Sequence, residues 1–189
     1  MLFQNKSKFV KELDSSLQFP YHDGVSKDGI IHYLSNKTKG NIHDNKTIEI
    51  TANGFCGSHS PKFLVDFDGT RIFHSNRNSE NWVCYDFKGK KIKISHYSIE
   101  SVNWYNNEHN LRSWIIETSD NCTDWIIVDK QCNSDILNGP GRIGTFQVEH
   151  DVFSRYVRLR QTGPDWKNED VMILKSIEFY GNLKNSNNE

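Results

Sequence analysis

Between two β-like runs of this chain lies Val102-Asn103-Trp104-Tyr105-Asn106-Asn107-Glu108-His109-Asn110, two large aromatics among amides, a carboxylate and an imidazole. Regular strands that present such a loop are a common way to build a binding surface. Signals for catalysis are weaker. Gly139-Pro140-Gly141-Arg142-Ile143-Gly144 spells GxGxxG, but it sits between β segments with a proline inside, so it reads as a loop and not as a dinucleotide site. Cys56 and His59 have half of a zinc spacing with no second pair, which fits buried or idle residues better. Asp66 and Asp68 offer oxygen ligands of the kind calcium takes, yet two acids in one loop fit a solvated turn better. No cofactor is expected, and no nucleophile–base pair is marked by spacing, since such groups meet only in three dimensions.

The elements that must hold the loop are short and β-like. His96-Tyr97-Ser98-Ile99-Glu100-Ser101 and Leu111-Arg112-Ser113-Trp114-Ile115-Ile116-Glu117-Thr118 are rich in β-branched and aromatic residues. Trp125-Ile126-Ile127-Val128 is nearly all apolar and reads as buried on both faces, after a tight polar hairpin turn at 119–124. Ile48-Glu49-Ile50, Trp82-Val83-Cys84-Tyr85-Asp86-Phe87, Ile92-Lys93-Ile94, Phe146-Gln147-Val148, Arg155-Tyr156-Val157-Arg158-Leu159-Arg160 and the run 173–180 complete the set. With Gly, Asn and Asp turns and no long helix between them, these predict an all-β antiparallel sandwich or jelly roll.

Upstream, Phe9, Val10, Leu13 and Leu17 fall at helical spacing, and 29–34 reads as one apolar helical turn. The chain therefore divides into an N-terminal extension with short helical segments packed on the domain (1–46), the β domain (47–181) and a frayed tail (182–189). With 35% apolar and 12% aromatic residues, its 189 residues suffice for one cored domain. Lys and Arg number 23 against 24 Asp and Glu, so no global basic field draws the protein to nucleic acid or anionic membrane. No apolar run is long enough to span a bilayer. The first residues lack the apolar core of a signal peptide, and four unpatterned cysteines read as free thiols, so a cytoplasmic place is expected.

The runs at 82–87, 96–101 and 111–117, with Arg155-Tyr156-Val157-Arg158-Leu159-Arg160-Gln161-Thr162-Gly163 and the closing Ile177-Glu178-Phe179-Tyr180-Gly181, resemble the coagulation factor V/VIII type C, or discoidin, domain. The resemblance covers about residues 47–181, in order. It is nearest to the intracellular branch found with BTB domains, where a segment like Asp28-Gly29-Ile30-Ile31-His32-Tyr33-Leu34 precedes the first strand. Two features depart from the family. No cysteine stands near the ends to form the disulfide of secreted members, and the hairpin turn reads Ser119-Asp120-Asn121-Cys122 in place of Ser-Asn-Asp-Gly.

The resemblance implies a galactose-binding-like jelly roll and a non-catalytic binding role, with termini at one end and ligand loops at the other. It places the segments 54–67, 71–81, 102–110 and 161–170 together at the ligand end. The candidate contacts it implies are His74, Asn76, Arg77, Trp104, Tyr105, Asn106, Asn107, Glu108, His109, Asp165 and Trp166. Aromatic faces beside amide, carboxylate and guanidinium groups suit sugars, whose apolar C–H face stacks on the ring while the hydroxyls are bonded. A glycan is the first expectation; a peptide or partner surface gripped by the same loops, within a larger multidomain or complex setting, is the alternative. Plainer roles stay open: Trp104, Tyr105 and Trp166 as caps on the core, Arg77 as a solvated charge, the Asn residues as turn formers.

Overall fold

The computed structural model describes residues 16–23, 28–67, 70–104 and 109–186. In chain order these form β1 (Leu17–Phe19), α1 (Ile30–Thr38), β2 (Glu49–Ala52), a 3-10 turn (Pro61–Val65), β3 (Phe73–His74), β4 (Trp82–Asp86) and β5 (Lys90–Glu100). Then follow β6 (Trp114–Ser119), β7 (Ile126–Gln131), β8 (Ile143–Gln147), β9 (Tyr156–Gln161), β10 (Ile173–Leu174) and β11 (Ser176–Asn185).

Alternation sorts these strands into two facing layers. In β9, Val157 and Leu159 turn inward and are buried, while Arg158 and Arg160 point out to Glu117 on β6 at 2.8 and 3.0 Å. Burial pushes the Glu117 carboxyl up, but the two guanidiniums outweigh it and hold the group below the usual carboxylate range. The two large sheets have the orders β2-β4-β9-β6-β7 and β1-β11-β5-β8, β10 and β3 form a separate two-stranded sheet, and every pairing is antiparallel. Trp114, Tyr85, Tyr97, Phe87 and Phe179 fill the space between the layers, and Trp114 Nε1 donates to Tyr97 Oη at 2.9 Å. The structure is thus the antiparallel jelly-roll sandwich that the strand pattern predicts.

Several expectations are corrected. The expected strands at 92–94 and 96–101 are one strand, β5, made continuous by its pairing with β11. That pairing passes a bulge at Tyr180/Gly181, where φ is +134° and a Cβ would stand 2.0 Å from the Lys93 carbonyl oxygen, so only glycine fits. The 126–128 run is not buried on both faces: β7 is an edge strand, and Ile126 and Ile127 are exposed. The tail does not fray at 182, because 182–185 continue β11 and pair with β5 and β1. Leu17 lies in β1 instead of a helix, its periodicity overridden by pairing with Leu183; Phe9, Val10 and Leu13 fall outside the described residues.

Alongside β11, α1 is anchored at its start by a buried acid. Glu178 of β11 accepts from the backbone N–H groups of Ile31 (2.7 Å), His32 (2.9 Å) and Phe179 (2.8 Å). It does the work of an N-cap side chain that Gly29 lacks, and a Cβ on Gly29 would come within 2.5 Å of the Glu178 carboxyl carbon. Burial pushes the Glu178 carboxyl up to about 8, against the pull of those three N–H groups. All four cysteines are free; Cys84 is buried, which pushes its thiol up to about 12. Among the described residues no helix is long and apolar enough to cross a membrane.

Candidate ligand-binding site

At the end of the sandwich where β5 and β9 close and β4 begins, backbone hydrogen bonds tie the connecting loops into one surface. Cys56 N donates to His74 O at 2.9 Å and His74 N to His59 O at 3.3 Å. Asn78 N reaches Asp170 O at 2.9 Å, and Trp166 N reaches Asn110 O at 3.1 Å. Buried Asn81 clamps the group, its amide nitrogen donating to Asn78 O, Asp170 O and Gln161 Oε1. Described residues of all four segments expected to converge are joined here.

The polar side chains of this surface form a row. Arg77, largely exposed, pairs with Glu169; Glu169 Oε2 lies 4.0 Å from His109 Nδ1, which is 2.7 Å from Asp165 Oδ2. The ring of His74 stands 5.9 Å from that of His59. Burial lowers the proton affinity of His74, and nearby His59, His109 and Arg77 lower it further. His74 is therefore neutral at neutral pH, with one ring nitrogen to donate and one to accept.

The expected contact residues sort into several groups. His74, Arg77 and His109 come together. Asn76 is exposed and stands against Gly54, where an added Cβ would meet its amide nitrogen at 2.7 Å. Asp165 is corrected: it has no exposed surface, and its Oδ1 accepts from Lys167 N at 2.9 Å and Glu169 N at 2.8 Å. It shapes the loop and orients His109 instead of meeting a ligand. Trp166 is half-buried, its indole N–H donating to Ser134 O at 3.3 Å and its ring lying under Arg112. Trp104 is 49% exposed, so at least part of the ring stands clear of the core. Tyr105, Asn106, Asn107 and Glu108 lie outside the described residues.

Phe55, His59 and Glu169 lie in segments expected at the ligand end but are not among the expected contacts, and His59 is read there only as half of a zinc spacing. Phe55 is 43% exposed between Gly54 and Gly57, both at positive φ. An aromatic on a glycine-hinged loop is a signal that the sequence does carry. Glu169 has no such signal, since its place in the row depends on the turn that Asp165 builds. Asp66 is paired with Arg71 at 2.9 Å, and Asp68 lies outside the described residues. Among the described residues no group of three or more His, Cys, Asp or Glu is arranged to hold a metal ion.

No family model matches the chain, and comparison with curated proteins finds no match. Solved structures do match its fold. The module CpGH89CBM32-5 of Clostridium perfringens, solved with GalNAc-β-1,3-galactose, aligns with a TM-score of 0.58 at 11% identity, over 71% of this chain and 96% of its own. The family 32 carbohydrate-binding module of Clostridium perfringens NanJ, solved with galactose, aligns with a TM-score of 0.57 at 8% identity, over 71% and 94%. A chitosan-binding module from a chitosanase/glucanase of Paenibacillus sp. IK-5 gives 0.56 at 18%, over 71% and 96%. The likeness is one of fold: the chain shares the antiparallel jelly-roll sandwich of these modules.

Proposed function

We propose that this chain is a non-catalytic carbohydrate-binding module that takes a glycan at the loop end. One observation carries the reading: half-exposed aromatic rings, Trp104 and Phe55, share that end with a fixed row of hydrogen-bonding groups running from Arg77 through Glu169 to His109. Such a surface matches a sugar, whose C–H face stacks on a ring while its hydroxyls need donors and acceptors held in place. Neutral His74 can accept from one hydroxyl and donate to another. That modules of the same fold are solved with galactose and with GalNAc-β-1,3-galactose supports a sugar over a peptide.

The test is a glycan array probed with the intact chain, then titration of the best ligand with Trp104→Ala. Binding should weaken about tenfold, a loss of the size seen when a contact aromatic is truncated. The thermal melt should barely move, whereas a ring that capped the core would cost about 3–5 kcal/mol. An array on which nothing binds removes the reading. A cytoplasmic place for the module is supported by the four free thiols and by the 28–34 segment, which resembles that of BTB-associated members; fractionation of cells expressing the tagged chain checks it.

A further inference from the structure

Far from the loop end, a cleft of about 390 Å³ opens beside α1, and its rim carries five lysines and no carboxylate. Lys37 comes from the last turn of α1, Lys46 from the loop before β2, Lys88 and Lys90 from the β4–β5 turn, and Lys184 from the end of β11. Four separate chain segments therefore deliver like charge to one place in a chain whose net charge is −1. Like charges brought together repel, and chain composition does not require it. Of these five lysines, only Lys88 has an ion partner among the described residues, Glu49. Lys37 rests on Tyr33, bonding its hydroxyl at 3.3 Å, and Lys184 stands over the Phe153 ring at 4.1 Å.

The backbone adds a second observation. Lys46 (φ +65°) and Lys88 (φ +57°) both sit in the left-handed region, where glycine or asparagine is the easier residue. Lysine at two such positions around one cleft keeps positive charge there at a conformational cost.

The floor decides what kind of anion fits. It is made by Leu17, Leu34 and Leu183 with the Tyr33 ring, and Leu17 and Leu183 are directly paired across β1 and β11. A small hydrated ion leaves an aliphatic floor uncovered, and a neutral apolar molecule leaves the ammonium groups unanswered. A ligand with an apolar body and an acidic group satisfies both, and the cleft has the volume of a small-molecule site. We propose that this cleft is a second binding site, separate from the glycan surface, for an amphipathic organic anion: a carboxylate, sulfate or phosphate on an aliphatic body.

Octyl sulfate below its micelle-forming concentration is the probe, titrated calorimetrically into the intact chain. Saturable single-site binding is expected, weakened by added salt and lowered at least about tenfold by Lys90→Glu or Lys184→Glu. Inorganic sulfate and 1-octanol, each carrying half of the chemistry, should each bind about tenfold or more weakly than octyl sulfate. Should a charge reversal disturb folding, seen in the thermal melt, Lys90→Gln and Lys184→Gln remove the charge without reversing it and are read instead. Affinity unchanged in the lysine variants, or inorganic sulfate binding as well as octyl sulfate, overturns the proposal. Glycan binding at the loop end is the internal control and should be the same in all of these variants.

Discussion

Two buried carboxylates, Glu178 and Asp165, each fasten non-strand chain to the sandwich, and the two do their work differently. Glu178 reaches across 147 positions of sequence to hold the start of α1, and burial leaves its carboxyl raised. Asp165 reaches only two and four residues ahead, to Lys167 and Glu169, and turns its other oxygen to His109. The first anchor joins distant parts of the chain and is a matter of stability. The second shapes one loop, and that loop supplies Glu169 and steadies His109 at the candidate glycan surface. Loss of Glu178 should therefore appear in the melt, and loss of Asp165 should appear in binding as well.

The largest effect is expected from Glu178→Ala. It leaves the backbone N–H groups of Ile31, His32 and Phe179 without their acceptor and should cost about 3 kcal/mol or more, read from denaturant unfolding. Its pH signature is distinct. A carboxyl raised to about 8 in the folded chain, from 4.5, binds its proton more tightly folded than unfolded, so it favours folding at low pH and loses that contribution as pH rises through 8. The lowered carboxyls of Glu49, Asp86, Glu117 and Asp151 act in the opposite sense, below their ordinary values. Between pH 7 and 8, where the folded chain gives up this proton, Glu178 should account for a loss of about 1 kcal/mol. In Glu178→Gln that loss should disappear; a loss that persists would mean another group carries it.

Asp165→Ala should cost less, about 1–3 kcal/mol for two backbone N–H groups left unanswered, and should also weaken glycan binding. Asp165→Asn sharpens the contrast. One amide oxygen can still serve Lys167 and Glu169, so the loop should hold, while the partner of His109 changes from an acceptor oxygen to an amide nitrogen or loses its charge. A near-normal melt with weakened binding is expected, measured by differential scanning fluorimetry beside a titration. Unchanged binding would mean that His109 does not act at the site.

The same contrast explains what the sequence could disclose. The strands around Trp114, Tyr97 and Val157 were legible because alternation and β-branched runs are local signals, and so was the polar, aromatic character of the loops. Pro164-Asp165-Trp166-Lys167 even displays the aspartate that caps its own turn, although the sequence does not show that its side chain is buried beneath the surface. Glu178 had no legible role as the anchor of α1, because the two bonds that hold the helix go to backbone groups nearly the whole chain away. The exposure of Ile126 and Ile127 was hidden for a related reason: composition tells that a strand is apolar, but its place at the edge of a sheet is decided by strands elsewhere. The gathering of Lys37, Lys46, Lys88, Lys90 and Lys184 is likewise a property of topology and of no single stretch.

The smallest effect in stability should come from Arg77→Ala, at the loop end where charge is arranged for contact. Arg77 is 73% exposed in its side chain and pairs with Glu169 in water, so the melt should move by less than about 0.5 kcal/mol. Its influence on His74 is a finer measure. Burial is the main cause of that ring's low proton affinity, with His59, His109 and then Arg77 adding to it. Removing the guanidinium should therefore raise the His74 pKa only slightly and leave it below its ordinary value, a shift that NMR of the ring protons can follow. Because His74 is lowered in the folded chain, stability is lost as pH falls from the ring's ordinary value through the depressed one; Arg77→Ala narrows that gap and should make the loss slightly smaller. Glycan affinity should fall in the same variant if Arg77 meets the ligand, as its place in the row beside Glu169 and His109 requires. An unmoved melt, an unmoved His74 and an unmoved affinity together would take Arg77 out of the surface and leave Trp104, Phe55 and His109 to define it.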